Sequence, residues 1–235
     1  MRILLDTANL DDIRYYNEYY PILGVTTNPT ILSKEGGDVI KLLCDIREII
    51  GEEKELHIQL TETEFERIVE EAEALVSLLG KNTYVKIPAT DMGLRATKYL
   101  SDRGMGVTVT AVLTAAQAML ASNAGASYVA PYISRSENLC ADGVGTVEDI
   151  AKIFKTSGTK TQILAASFKT AKEVLDVAVV GCHAATISPT IMHILNSHTT
   201  TDTSIIGFDK DWKKAFGNTT LLKLIKEKNK SNSVK

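Results

Sequence analysis

The sequence contains no long hydrophobic run, and its apolar stretches stay well short of the roughly 18 residues that a membrane-spanning helix requires. The first residues, Met1 to Asp6, are interrupted by charge too soon to form a secretory signal. The formal net charge is only −3, which predicts no sequence-wide attraction for nucleic acid or for an anionic membrane. We therefore expect a cytoplasmic protein that binds neither nucleic acid nor membrane and whose partner is a small molecule.

Cysteine is scarce, and Cys44, Cys140 and Cys182 lie far apart. An odd number of widely spaced cysteines is typical of reduced, buried structural thiols rather than of a disulfide framework or a zinc site. The sequence also lacks an HExxH motif and a glycine-rich phosphate loop, and the histidines after His57 have no metal-ligand spacing. These absences favour chemistry that uses no metal and no cofactor.

Short apolar or β-branched runs alternate with longer helical patterns along all 235 residues. This alternation predicts parallel strands joined by helices, and eight such units without a break in composition favour a closed (β/α)8 barrel, with an open doubly wound sheet as the alternative. The expected strands are Arg2 to Asp6, Gly24 to Thr27, Glu55 to Leu60, Thr83 to Ile87, Gly106 to Ala111, Ser127 to Tyr132, Lys160 to Ala166 and His183 to Ile187.

An amphipathic pattern over Thr63 to Leu79, with a solvated acidic face and an apolar face, predicts one of the helices between the strands.

The C-terminal quarter predicts additional helices outside the eight units. After the last strand we expect helices over Pro189 to Asn196 and Asp202 to Phe216, and the second carries an apolar stripe that needs a partner surface. We therefore predict one domain over 1–217, which includes the helix at 202–216, and a mobile tail over 218–235.

Polar residues follow apolar runs at the ends of six of the predicted strands. In a barrel every second side chain points inward, and reacting groups belong at the carboxyl ends of the strands. We therefore expect one shared site at that end of the barrel. The inward polar candidates are Asp6, His57 with Gln59, Tyr84 with Lys86, Thr108 with Thr110, Tyr132 and Ser167.

Lys86 is the most informative of these candidates because Val85 and Ile87 flank it and Pro88 follows. Burial disfavours the ammonium form, and the free amine that results attacks ketones to form a Schiff base. The alternative is a lysine that extends outward from the strand end into solvent. The residues alone leave both interpretations open.

Three other groups also have two interpretations from the residues alone. Asp6 is either a general acid or base or a cap for the helix that begins near Ala8, and the cap is favoured. Asn28 either binds a substrate or bonds its own backbone in a turn. The basic and hydroxyl residues of the late loops are either solvated or form the phosphate site that barrels carry there, and the phosphate site is favoured. Those residues are Arg135, Ser167 and Lys169.

The sequence resembles the small transaldolase family and, within it, the fructose-6-phosphate aldolases. The resemblance covers everything except the tail. The matching segments, in order, are Leu-Asp-Thr at 5–7, Gly-Val-Thr-Thr-Asn-Pro-Thr at 24–30, Val-Lys-Ile-Pro at 85–88, Val-Ala-Pro-Tyr at 129–132 with Arg135, Ala-Ala-Ser-Phe-Lys-Thr at 165–170 and Asp-Trp-Lys-Lys-Ala-Phe-Gly at 211–217.

This resemblance implies a TIM barrel and a role for each candidate residue. Lys86 is implied to be the Schiff-base residue and Asp6 to assist proton transfer. Thr26 and Asn28 are implied to hold substrate hydroxyls. The phosphate is implied to lie against Arg135, Ser167 and Lys169. The helix over 202–216 resembles one that packs on a neighbouring subunit in ring-shaped pentamers and decamers, so we expect a homo-oligomer.

The implied reaction is the cleavage or formation of fructose 6-phosphate from dihydroxyacetone and glyceraldehyde 3-phosphate. Gln59 and Tyr132 favour this aldolase, because transaldolases of the family carry glutamate and usually phenylalanine there. The alternative is a transaldolase of the pentose phosphate pathway, and a more remote one is a barrel that binds a sugar phosphate without turning it over. Thr110 completes the catalytic candidates, whereas Thr108 fits neither the aldolase nor the transaldolase pattern.

Overall fold

A computed structural model describes residues 1–232, and the backbone alone for residues 231 and 232. Eight parallel strands close into a barrel in the order β1 to β8, which confirms the predicted (β/α)8 architecture and excludes an open sheet. The strands are β1 (Arg2–Asp6), β2 (Gly24–Thr26), β3 (Glu55–Gln59), β4 (Thr83–Pro88), β5 (Val107–Val112), β6 (Tyr128–Pro131), β7 (Gln162–Ala165) and β8 (Ala184–Ile187).

Helices connect successive strands, and further helices follow β8. They are α1 (Leu10–Tyr19), α2 (Pro29–Glu35), α3 (Val39–Ile50), α4 (Phe65–Leu79), α5 (Asp91–Ser101), α6 (Ala115–Asn123), α7 (Ile133–Glu137), α8 (Gly143–Ser157), α9 (Ala171–Val179), α10 (Pro189–Asn196), α11 (Thr199–Phe216) and α12 (Leu221–Asn232). The chain divides into two compact units, Met1–Met192 and a second that begins at His193.

Capping residues set where the barrel helices begin. Thr114 and Thr170 each form a capping box, in which the threonine side chain accepts from the backbone N–H three residues on and Gln117 or Glu173 accepts from the threonine N–H. Asn9 accepts from two N–H groups at the start of α1. Each cap satisfies donors that helix geometry leaves unpaired, so a strand can pass into a helix within a few residues.

Apolar side chains fill both the space between strands and helices and the lower part of the barrel. Leu4, Tyr128, Leu164 and Ala184 form a cluster inside the barrel. Gly24 is required by close approach, because a Cβ there would lie 1.9 Å from the Glu55 carbonyl oxygen on β3. The packed interior leaves the polar residues at the carboxyl ends of the strands as the accessible part of the barrel.

Most predicted elements agree with the structure to within two residues, and the differences concern two helix starts, the C-terminal segment and the cysteines. The long helix begins at Phe65 rather than Thr63, and the helix predicted over 202–216 begins at Thr199. The segment 218–235 contains the helix α12, only 233–235 lies outside the described residues, and the mobility of this tail stays a prediction. Cys140 is exposed and Cys44 is half-buried, so only Cys182 is the buried thiol that we expected.

The second unit has an exposed apolar surface in the single chain. Trp212 packs on Phe216 with ring centroids 4.6 Å apart, and its indole N–H donates to the Thr219 carbonyl at 2.8 Å. By contrast, Ile206 and Phe208 on α11 are 69% and 71% exposed.

Over residues 1–232 no helix is both long and apolar enough to cross a membrane, and no group of His, Cys, Asp or Glu could hold a metal ion.

Candidate active site

Lys86 lies inside the barrel on β4, with only 5% of its surface exposed. Its ammonium nitrogen donates to the Thr27 carbonyl oxygen at 2.9 Å, so the side chain does not reach outward into solvent. Burial lowers the pKa of Lys86, and the negative charge of Asp6 partly opposes this shift. The structure therefore places a lysine where its neutral, nucleophilic form is favoured.

Asp6 ends β1 and belongs to a short chain of hydroxyl groups. Thr26 on β2, which pairs with Asp6 in the sheet, donates to its carboxylate at 2.6 Å. Thr186 on β8 lies 2.6 Å from the Thr26 oxygen and donates to it, since the Thr26 proton is already used. Burial raises the pKa of Asp6, while Lys86 and the Thr26 hydroxyl oppose the rise. Asp6 does not cap α1, because Asn9 does so.

Thr27 and Asn28 follow β2 and contribute to the site in different ways. The Thr27 backbone N–H extends the ladder to β3 by donating to the His57 carbonyl at 2.8 Å, and its own carbonyl faces Lys86. The Asn28 side-chain oxygen accepts from the Ile31 N–H at 3.0 Å and so caps α2. Asn28 therefore has the turn-forming role, and substrate binding by its amide group stays a prediction.

Tyr132 and Thr110 meet near a bulge at the end of β5. Ala111 has a φ of 55°, and the register with β6 shifts between Val109 and Val112. A bulge redirects the side chains beside it. Here the hydroxyls of Thr110 and Tyr132 come within 3.3 Å of each other. Thr110 is buried while Tyr132 is half-buried, so the phenol lies between the interior and the solvent.

Gln59 is half-buried at the end of β3 and pairs directly with Lys86 on β4. Paired residues of neighbouring parallel strands point to the same face of the sheet. The amide of Gln59 and the amine of Lys86 therefore both face the barrel interior. An amide does not titrate, so Gln59 can orient a substrate or water but cannot take a proton from it.

The late loops bring together the three residues of the predicted phosphate site. Arg135 on α7 is exposed, and its guanidinium carbon lies 4.7 Å from the centre of the Tyr132 ring. Ser167 has a φ of 64°, a left-handed conformation that is uncommon for serine, and its carbonyl accepts from the Ser134 N–H. Lys169 is exposed two residues later.

Glu173 fixes the two late loops relative to each other. One of its oxygens accepts from the Ser134 hydroxyl at 2.7 Å, next to Arg135. The other accepts from the backbone N–H groups of Lys169 and Thr170 at 2.7 and 3.0 Å. Arg135 and Lys169 are therefore carried by segments that share one anchor, as a site for an anionic group requires.

The structure thus brings most of the predicted residues to one end of the barrel and adds contributors that sequence reasoning missed. His57 and Tyr84, which pair two residues before Gln59 and Lys86, lie deeper in the barrel. The Thr27 carbonyl was missed because a backbone acceptor leaves no signal in residue type. Thr186 and Glu173 were missed as well. Thr186 ends an apolar strand in the same way as the other candidates, so the alternation of β8 could have revealed it.

Comparisons with known proteins agree with this geometry. A family model described as transaldolase/fructose-6-phosphate aldolase matches residues 3–231. A probable transaldolase of Clostridium botulinum strain Hall is 39% identical over 217 residues, which cover 92% of this chain and 99% of that protein. A probable transaldolase of Brevibacillus brevis is 40% identical over 212 residues, covering 90% and 98%.

Solved structures support the barrel fold alone. A structure described as native KDPGal superposes with a TM-score of 0.56 at 14% identity and covers 79% of this chain and 81% of its own. A flavocytochrome b2 variant with sulfite bound superposes with a TM-score of 0.58 at 9% identity, covering 80% and 56%. At such low identity these likenesses carry no information about chemistry.

Proposed function

Because the chain belongs to the transaldolase/fructose-6-phosphate aldolase family, we propose that it breaks and forms carbon–carbon bonds of sugar phosphates through a Schiff base on Lys86. It is an enzyme of the transferase or lyase type. The observation that carries the proposal is the burial of Lys86, because an amine with a lowered pKa is the nucleophile this chemistry needs.

In the first half of the reaction the Lys86 amine attacks the ketone carbon of a ketose phosphate such as fructose 6-phosphate. Loss of water gives an iminium, which acts as an electron sink. A base then takes the C4 hydroxyl proton, the C3–C4 bond breaks, and its electrons move to the iminium to form an enamine. Asp6 is the candidate base, since burial raises its pKa toward the range in which a carboxyl group both accepts and releases protons.

The fate of the enamine separates the two activities of the family. Glyceraldehyde 3-phosphate leaves, and a dihydroxyacetone unit remains on Lys86. A transaldolase transfers that unit to a second aldose phosphate such as erythrose 4-phosphate, whereas an aldolase protonates the enamine and hydrolysis releases dihydroxyacetone. In either case the phosphate is proposed to lie against Arg135, Ser167 and Lys169, and Thr26 and Asn28 to hold hydroxyl groups.

Transaldolase is the activity that the relatives favour, since those named above are probable transaldolases that match over nearly their whole length. We therefore place transfer first and the aldolase that the sequence favoured second. The aldolase retains one specific support. The Tyr132 phenol, 3.3 Å from Thr110, could protonate the enamine, and Gln59 is an amide where transaldolases carry a carboxylate.

Release of glyceraldehyde 3-phosphate from fructose 6-phosphate, with and without erythrose 4-phosphate, separates the two activities. For a transaldolase we expect one equivalent per active site without the acceptor, because the enamine stays on Lys86, and continuous turnover once the acceptor is added. Equal continuous release under both conditions would identify the aldolase. No release under either condition, with the sugar phosphate still bound, would support the non-catalytic barrel.

A further inference from the structure

A buried histidine lies directly below the proposed catalytic layer, and the reaction described above does not use it. His57 on β3 has no exposed surface, and its ring stacks on Tyr84 with centroids 4.6 Å apart. One ring nitrogen, Nδ1, lies 2.9 Å from the Thr108 hydroxyl, and the other, Nε2, lies 3.0 Å from Glu55. Both ring nitrogens are therefore engaged inside the barrel.

The second oxygen of Glu55 shows which way these hydrogen bonds run. It accepts from the Tyr128 hydroxyl at 3.0 Å, and burial raises the pKa of Tyr128, so this phenol keeps its proton. A carboxylate only accepts, so Nε2 of His57 must carry a hydrogen and donate it to Glu55. Burial and the charge of Lys86 lower the pKa of His57 while Glu55 opposes the shift, and the lowered pKa favours the neutral ring with Nδ1 as an acceptor. The Thr108 hydroxyl must then donate to Nδ1.

Thr108 connects this chain to the catalytic lysine. It pairs with Lys86 across β4 and β5, and both side chains are buried in the barrel interior. Since the Thr108 proton is directed at His57, its oxygen presents only lone pairs to the other groups around it. An acceptor beside Lys86 suits the protonated Schiff base, which retains one N–H. Thr108 is also the position where the sequence fits neither pattern of the family.

We propose that His57 is a positioning residue, which, fixed by Glu55, turns the Thr108 hydroxyl into a pure acceptor on the strand next to Lys86, available to the Schiff-base N–H that forms there. This inference rests on the proposed Schiff-base function. It gives Thr108, the buried His57 and the half-buried Glu55 one shared role. The polar chain Glu55–His57–Thr108 is then retained inside an apolar barrel because it orients one hydrogen bond.

Two substitutions test the hydrogen-bond chain Glu55–His57–Thr108 while preserving the fold. Thr108→Val removes the hydroxyl with almost no change in shape. Glu55→Gln keeps every heavy atom, but its amide oxygen accepts from Tyr128 while its NH2 group donates to Nε2, which moves the His57 hydrogen to Nδ1 and reverses the chain. For each we expect kcat to fall about tenfold with KM little changed, as loss of the proposed hydrogen bond to the Schiff-base N–H predicts.

The double variant and two controls separate positioning from mere stability. Glu55→Gln combined with Thr108→Val should lose no more activity than either alone, because both act through the same hydroxyl. Thr108→Ser keeps the hydroxyl and should restore kcat. Thr97→Val removes another fully buried threonine hydroxyl, bonded 2.7 Å to the Gly93 carbonyl within α5, and should leave kcat unchanged.

The outcomes also distinguish this inference from the proposed function. If borohydride traps dihydroxyacetone on the wild-type protein but Thr108→Val behaves like Thr97→Val, the positioning role is wrong and the Schiff-base function stands. Independent, multiplying losses in the double variant would contradict the shared hydroxyl as well. If the wild-type protein forms no adduct, the proposed function itself fails. Should one variant not fold, the other still gives the decisive comparison of kcat with Thr108→Ser.

Discussion

At the scale of single residues, the site depends on placing a charge-bearing side chain where charge is unfavourable. Lys86 is buried on β4 and Asp6 is half-buried at the end of β1. Burial lowers the pKa of Lys86 and raises the pKa of Asp6, so both shifts favour the neutral form, and the mutual attraction of the two charges opposes both shifts. Such a pair lowers the stability of the folded protein and raises the reactivity of the two side chains, which is typical of catalytic groups.

The stability cost of Lys86 gives a prediction that does not require a substrate. Because its pKa is lowered on folding, the lysine destabilises the native state at neutral pH, and the penalty disappears as pH rises toward the ordinary value of 10.5. In thermal unfolding, wild-type stability should therefore rise relative to Lys86→Met between pH 7 and 10.5. A difference that is flat or falls with pH would contradict the burial penalty.

Residue types at strand ends predicted much of the site, but not every contact. Alternation along β3 and β4 was enough to direct Gln59 and Lys86 to the same face. The Thr27 carbonyl could not be predicted because every residue has one. The Asn28 cap depends on where α2 begins, and helix boundaries are the least certain part of a sequence prediction. The Asp6–Thr26 bond depends on the register between β1 and β2.

At the scale of elements, the strands and most helices were predictable because their hydrophobic periodicity is a strong local signal. β1 matches its predicted bounds, and α10 does so too. The bulge at Ala111 was not predictable, since a positive φ at alanine reflects the packing around it rather than its own preference. The helix α12 was missed because its lysines suggested a solvated tail, although Leu221, Leu222, Leu224 and Ile225 recur at helical spacing.

The element α11 predicts association between chains. Its residues Ile205, Phe208 and Phe216 recur at helical spacing and are exposed in the single chain. Contiguous exposed apolar surface of this kind marks an interaction site, in agreement with the expected homo-oligomer.

Sedimentation velocity tests this prediction. The wild-type protein should sediment as an assembly, and Phe208→Asp should shift it toward smaller species, because a carboxylate cannot be buried unpaired at an apolar contact. Thr203→Asp adds the same charge at an exposed polar position of α11 and should leave the assembly intact. A wild-type monomer, or equal effects of the two variants, would contradict the role of α11.

At the scale of the whole molecule, closure of the barrel gives the strand-end residues their function. Asp6, Gln59, Lys86 and Thr110 lie far apart in the sequence and meet only because eight strands close in order. Closure also surrounds Lys86 with protein on every side. The architecture was predictable since each unit repeats the same pattern, whereas the depth at which Lys86 lies depends on register and required the structure.

Borohydride reduction in the presence of fructose 6-phosphate, followed by peptide mass spectrometry, tests the central claim most directly. The account predicts one three-carbon adduct on Lys86 in the folded protein, with none in Lys86→Met and none after denaturation, since the free amine depends on the closed barrel. Turnover of the sugar phosphate without an adduct on Lys86, or an adduct that survives in Lys86→Met, would contradict it.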